Sequence, residues 1–98
     1  MITPLGRSAI NEILDESLHG WSFDDDALVK TFTLEDFSAA LAFIVRIGVE
    51  CEKMNHHPHL TNVWNKVTIR LNTHDADNKV TQKDIDLAKV IQHFSRVE

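Results

Sequence analysis

Three histidines fall within four positions, His56-His57-Pro58-His59, and a fourth, His74, follows further along the chain. An ordinary imidazole titrates near pH ~6.5, so such a set could move protons at neutral pH. It could also bind a metal, or simply decorate a polar loop. His56, His57, His59 and His74 offer enough nitrogen for zinc, but the spacing argues against it. Adjacent histidines diverge in most backbones, no H-x-x-x-H or H-E-x-x-H is present, and Cys51 is the only cysteine. A metal-free site is therefore expected. For acid–base chemistry the pair 56–57 would stand at the end of a helix and His74 at the end of a strand, from where they could approach one another. His57-Pro58 favours extended geometry at His57 and stiffens the turn that displays the rings. The plain alternative is a solvated loop after a helix C-terminus, where the helix dipole favours a protonated imidazole.

Other chemistries find little to work with. The chain has three glycines, no glycine-rich phosphate loop and no G-x-S-x-G. Cys51 has apolar neighbours and reads as inert packing. A lone cysteine permits no intrachain disulfide and agrees with a reducing compartment. A net charge of −5, with ten scattered Lys and Arg residues, argues against direct nucleic-acid binding. The start of the chain, MITPLGRSAINEILDE, meets a proline and charges before any apolar run, so it is not a signal peptide. The longest apolar stretch, Ser38 to Val49, contains Arg46 and falls well short of the ~20 residues of a membrane span. A cytoplasmic protein with no membrane association is expected. Without repeats or linkers, residues 1–98 read as one domain.

The elements that must hold these residues can be read in order. Thr3-Pro4 suits a helix start, with Leu5, Ile10, Ile13, Leu14 and Leu18 on one stripe and Gly20 placed to end it. Trp21 to Phe23 and Ala27 to Thr33 read as strands around the turn Asp24-Asp25-Asp26. Thr33-Leu34-Glu35-Asp36 resembles a capping box and predicts a helix over 34–54. Its apolar face is expected to contain Phe37, Leu41, Ile44, Gly48 and Cys51, widened by Ala40, Phe43 and Ile47. A face so broad implies either a deeply buried helix or one that also meets another subunit. Leu60 to Trp64 reads as a strand, Asn65-Lys66 as a turn, and Val67 to Thr73 as a cleanly alternating strand with His74 at its end. Thr81-Gln82-Lys83-Asp84 is a second capping box, opening a helix with Leu87, Ala88, Ile91 and Phe94 inward. The order α-β-β-α-β-β-α predicts an α+β fold, a four-stranded antiparallel sheet with three helices packed on one face.

The joint spacing adds a further reading. Glu52, three spacers, His56-His57-Pro58, five spacers, Trp64, nine spacers, His74, nine more and Asp84 form a pattern that resembles the signature of the pterin-4a-carbinolamine dehydratases. Similarity continues in Gly20-Trp21, "FTLEDFSAALAFIVRI", "NVWNKVTIRLNTHD" and "TQKDIDLA", from about residue 20 to 90. The resemblance implies a hydro-lyase that removes water from 4a-hydroxytetrahydropterin to give quinonoid dihydropterin, in tetrahydrobiopterin recycling. It implies no cofactor, a pterin substrate, and a homodimer or homotetramer. By the same resemblance His56 and His74 are the acid–base candidates, with His57 positioning the pterin and sharing in proton transfer. Glu52, Asn55 and Thr73 are candidate substrate contacts, Glu52 alternatively orienting a histidine or standing as an exposed carboxylate. Asp84 either holds an imidazole in one tautomer or serves as the capping-box carboxylate, and both can hold together. Trp64 and Trp21 are expected as core or pocket walls. Asn55 departs from the aspartate of animal members, which removes a charge beside the pair. His59 is expected to be a surface residue. Animal members also bind a homeodomain transcription factor, so a protein-interaction role is the alternative function, with a histidine-cluster metal-binding protein as a second.

Overall fold

The computed structural model describes residues 2–96. Helix α1 spans Arg7–Ser17, strands β1 and β2 span Ser22–Asp24 and Ala27–Thr33, and helix α2 spans Phe37–Met54. Strands β3 (His59–Val63) and β4 (Lys66–Leu71), a single 3-10 turn (His74–Ala76) and helix α3 (Gln82–Arg96) complete the order. The four strands form one sheet in the order β1-β2-β4-β3, every neighbouring pair antiparallel. This is the expected α+β order.

Period-two alternation decides which side of the sheet meets the core. Leu28, Phe32, Val67, Ile69 and Leu71 are buried and share one side through the register Leu28↔Leu71 and Phe32↔Val67. The other side carries Thr31, Thr33, Thr61, Thr68 and Arg70, all exposed or half-exposed, with the Thr31 and Thr68 hydroxyls hydrogen-bonded at 2.9 Å. Buried residues of all three helices belong to the same core cluster as the apolar strand side: Ile10 and Leu14 of α1, Phe43 and Ile47 of α2, Leu87 and Ile91 of α3. Phe32 packs against Phe43 at a tilt and meets Trp21 edge-on, with centroids 5.1 and 5.9 Å apart. Among the described residues no helix is long and apolar enough to cross a membrane.

Several boundaries differ from expectation for identifiable reasons. Helix α1 starts at Arg7, not at Thr3-Pro4, because the Leu5 amide is drawn into a hydrogen bond with the Val80 carbonyl (2.8 Å) ahead of α3. Helix α2 starts at Phe37 with Asp36 as its cap, Oδ1 accepting the Ala39 amide at 2.8 Å. Thr33 does not cap it, since the Leu34 amide donates to the Asn65 carbonyl and keeps that segment extended. The β1–β2 turn is Asp25-Asp26, both with positive φ, the type I′ geometry that matches strand twist. The β3–β4 turn is Trp64-Asn65 rather than Asn65-Lys66, with Trp64 at φ 51°.

The breadth of the α2 apolar face resolves into two stripes. Ala40, Phe43, Ile47 and Cys51 face the core. Phe37, Leu41, Val45 and Val49 recur every fourth residue on the outside, exposed by 47%, 45%, 67% and 52%. Gly48, expected inward, is exposed as well. The inward set advances by three or four residues, following the 3.6-residue period, and the outward set is a second row the single chain leaves uncovered.

Candidate active site

Helix α2 ends where the site begins. Asn55 takes the left-handed conformation (φ 51°, ψ 44°), its amide reaching the Cys51 and Glu52 carbonyls, and the His56 amide returns to the Cys51 carbonyl. This terminator reverses the chain at once, a role that asparagine fills better than most residues. Pro58 follows, and β3 starts at His59. His56 is thereby carried inward and His57 outward, with side chains exposed by 8% and 59%. The second half of the site comes from the end of β4. Thr73 pairs with Lys79 in an isolated bridge, and its carbonyl accepts the Ala76 and Asn78 amides, each at 3.0 Å. The small loop so closed passes through left-handed Asp77 and Asn78 and holds His74 at the start of a 3-10 turn rather than in a strand. Lys79 ties this loop to the β1–β2 turn through Asp26 at 2.9 Å, and that carboxylate holds the Lys79 ammonium above its ordinary range.

Between these two segments lies a cleft of about 320 Å³, lined by Asn55, His56, His57, Thr73 and His74, with His59, Asn72, Asp75, Asn78 and Lys83 completing its walls. That volume is within the range of small-molecule sites. Each of the three motif histidines has a carboxylate neighbour. His56 Nε2 lies 2.5 Å from Asp84 Oδ1, deep in the protein. His57 Nε2 donates to Glu52 Oε1 at 2.9 Å on the surface. His74 Nδ1 stands 3.4 Å from Asp75 Oδ1, a long and fully exposed contact. The site is thus graded: one imidazole is held rigidly and shielded from water, one is braced, and one is nearly free.

Asp84 contacts both the start of α3 and His56. Oδ2 accepts the Thr81 amide at 2.9 Å, closing the capping box of α3, while Oδ1 engages His56. Thr73 is 3% exposed, and its hydroxyl donates to Asp84 Oδ2 at 2.8 Å, so that hydroxyl is turned inward rather than toward a ligand. Glu52 touches the cleft only through His57. Trp21 is a core residue that does not line this cleft, its Nε1 donating to Gln92 Oε1 at 3.0 Å. Trp64, expected as a core or pocket wall, is 66% exposed at the hairpin turn. Its φ of 51° places it at the turn apex, where no neighbouring strand covers it. His59 is exposed as expected, yet it forms part of the cleft rim. Asn72, Asp75, Asn78 and Lys83 line the cleft without having been singled out. Asn72 and Lys83 offered only strand alternation and a helix first turn as signals, and neither marks chemistry. Among the described residues no three His, Cys, Asp or Glu side chains come together as metal ligands would.

Comparison with known proteins gives a consistent result. The model of the family described as pterin 4 alpha carbinolamine dehydratase matches residues 3–94. A protein of Opitutus terrae, provisionally named pterin-4-alpha-carbinolamine dehydratase, is 45% identical over 97 residues, covering 99% of both chains. One from Thermosynechococcus vestitus with the same provisional name is 47% identical over 81 residues, covering 83% of this chain and 84% of its own. The crystal structure of a Brucella melitensis protein, described as a transcriptional coactivator/pterin dehydratase, superposes with a TM-score of 0.87 at 34% identity. It covers 94% of this chain and 98% of its own. This chain belongs to the pterin-4a-carbinolamine dehydratase family.

Proposed function

We propose that the protein removes water from 4a-hydroxytetrahydropterin to give quinonoid dihydropterin, by histidine acid–base catalysis, as a step of tetrahydrobiopterin recycling in the cytoplasm. The observation that carries this reading is the cleft in which His56 and His57, from the end of α2, meet His74, from the end of β4. Hydroxide is a poor leaving group, so the C4a hydroxyl must gain a proton to depart as water. The N5 proton is lost as the C4a=N5 bond forms. One proton is given and one taken, which needs positioned donors and acceptors with pKa values near neutrality, as imidazoles provide. His56 and His74 take the acid–base roles, and His57, braced by Glu52, positions the pterin. Asn55 offers a neutral amide to the polar pterin edge. Stopped-flow decay of 4a-hydroxytetrahydropterin tests the proposal: acceleration over buffer is expected, and a buffer-like rate would refute it.

A second reading concerns assembly. The outer stripe of α2, with half-buried Phe94 beside it, walls an apolar groove of about 560 Å³ that also includes Arg46 and Glu50. Such a face on a small protein marks an interaction surface. We place the homodimer or homotetramer contact there. A protein-interaction role like the coactivator description of the Brucella melitensis relative would use the same face. Sedimentation of the purified chain separates self-assembly from a monomer that awaits a different partner.

A further inference from the structure

Behind His56 lies a chain of buried hydroxyls that the dehydration chemistry does not itself use. Thr73, Thr81 and Asp84 are exposed by 3%, 1% and 0%. Thr73 Oγ1 donates to Asp84 Oδ2 at 2.8 Å, and a hydroxyl has a single proton. The 2.7 Å contact between the Thr73 and Thr81 hydroxyls must then run from Thr81 to Thr73. Thr81 Oγ1 in turn accepts the Lys83 amide at 3.2 Å. The direction of the whole chain follows: Lys83 amide to Thr81, Thr81 to Thr73, Thr73 to Asp84. Asp84 Oδ2 also receives the Thr81 amide at 2.9 Å, so it accepts two hydrogen bonds. Oδ1 is left to face His56 Nε2 at 2.5 Å. An ionised carboxylate only accepts, so the imidazole carries its proton on Nε2. Among the described residues the only sealed side-chain polar atom lacking a partner is Asn65 Oδ1. His56 Nδ1, which has no hydrogen bond among the described residues, is therefore not sealed, and His56 lines the cleft.

We infer that Thr73 and Thr81 are positioning residues: their ordered hydroxyls orient the Asp84 carboxylate and hold His56 in the Nε2–H tautomer, with Nδ1 presented to the substrate. The inference rests on the dehydratase reading for its kinetic consequence, but not for the tautomer. A purely structural role for the two threonines, as helix cap and strand-end packing, would leave the imidazole tautomer indifferent to them. Thr73, by this account, does not contact substrate through its hydroxyl.

Imidazole 15N NMR on the intact, substrate-free protein at about pH 8, where an ordinary histidine is neutral, reads the tautomer directly. Wild type is expected to show His56 protonated at Nε2 and bare at Nδ1. Thr73→Val removes one of the two donors that orient Asp84, so the Nε2–H form should lose part of its excess over the Nδ1–H form and kcat should fall about three- to tenfold with KM little changed, the loss of one charge-assisted hydrogen bond. Thr73→Ser keeps the hydroxyl and should restore both readouts. Thr81→Val and Thr81→Ser repeat the comparison one step back and serve if Thr73→Val does not fold. A wild-type His56 protonated at Nδ1 would overturn the inference, as would a folded valine variant with an unchanged tautomer, whatever its kcat. If wild type does not dehydrate the pterin, the functional reading fails, and the tautomer measurement still decides this one.

Discussion

At the scale of single residues, the three motif histidines differ in what their loss should cost. His74 is exposed by 93% and makes one long contact. His74→Ala should lower kcat by about 10²-fold or more, the size of a general acid–base contribution, and leave the urea midpoint unchanged. His56→Ala should lower the rate comparably and also destabilise the fold by about 1–3 kcal/mol, because Asp84 Oδ1 would be left buried without its partner. Paired kinetic and urea measurements separate the two outcomes. Cys51 gives a test independent of catalysis. Burial raises its thiol above the ordinary 9.0, the Cys51 backbone hydrogen bond opposing and the Glu50 charge reinforcing the shift. The native thiol should therefore resist a disulfide reagent at neutral pH and react once urea unfolds the chain. The folded state holds this proton more tightly than the unfolded one. The Cys51 contribution to stability is thus complete below pH 9.0 and declines as pH rises from there through the raised folded value. Residue types and spacing made the histidine trio and Asp84 legible. They could not reveal that the Thr73 hydroxyl turns inward or that Lys83 and Asn72 reach the cleft, since those facts depend on contacts between distant segments.

At the scale of elements, the C-terminal end of α2 places His56 and His57, and each end of the helix can be tested. Asp36→Ala removes the hydrogen bond to the Ala39 amide and should cost about 1 kcal/mol, read as a lower urea midpoint with unchanged slope. At the other end, the left-handed Asn55 determines where His56 and His57 leave the helix. Asn55→Gly should keep the fold within about 1 kcal/mol of wild type, because glycine accepts this conformation freely. Asn55→Val should be clearly less stable and should misplace both histidines, with KM and kcat affected together, since a β-branched residue resists positive φ. The order of the three helices and four strands was readable from period and composition. The start of α2 was not, because the Thr33 box pointed to a start at Leu34, and the hydrogen bond from Leu34 to Asn65, thirty-one positions away, keeps that segment extended. The Trp64-Asn65 turn was hidden similarly. An aromatic residue at positive φ carries no turn signature, and only pairing Val63 with Lys66 sets that register.

At the scale of the whole molecule, the outer stripe of α2 bears on assembly. Val45 is 67% exposed in the middle of it. Val45→Asp should dissociate an oligomer formed through this face to monomers in sedimentation, leaving the single-chain fold intact, because Val45 does not join the core cluster. An unchanged assembly would move the contact elsewhere. The chain's own pattern determined the α+β order, the alternation of the Val67–Thr73 strand and the family, because alternation, helical period and fixed motif gaps are local or one-dimensional properties. Tertiary structure alone decided which apolar row of α2 faces the core, how Trp64 comes to lie outside, and how a threonine just past β4 and an α3 carboxylate converge behind His56. Those outcomes depend on which distant segments compete for the same hydrogen bonds and the same buried volume, and a linear pattern does not encode that competition.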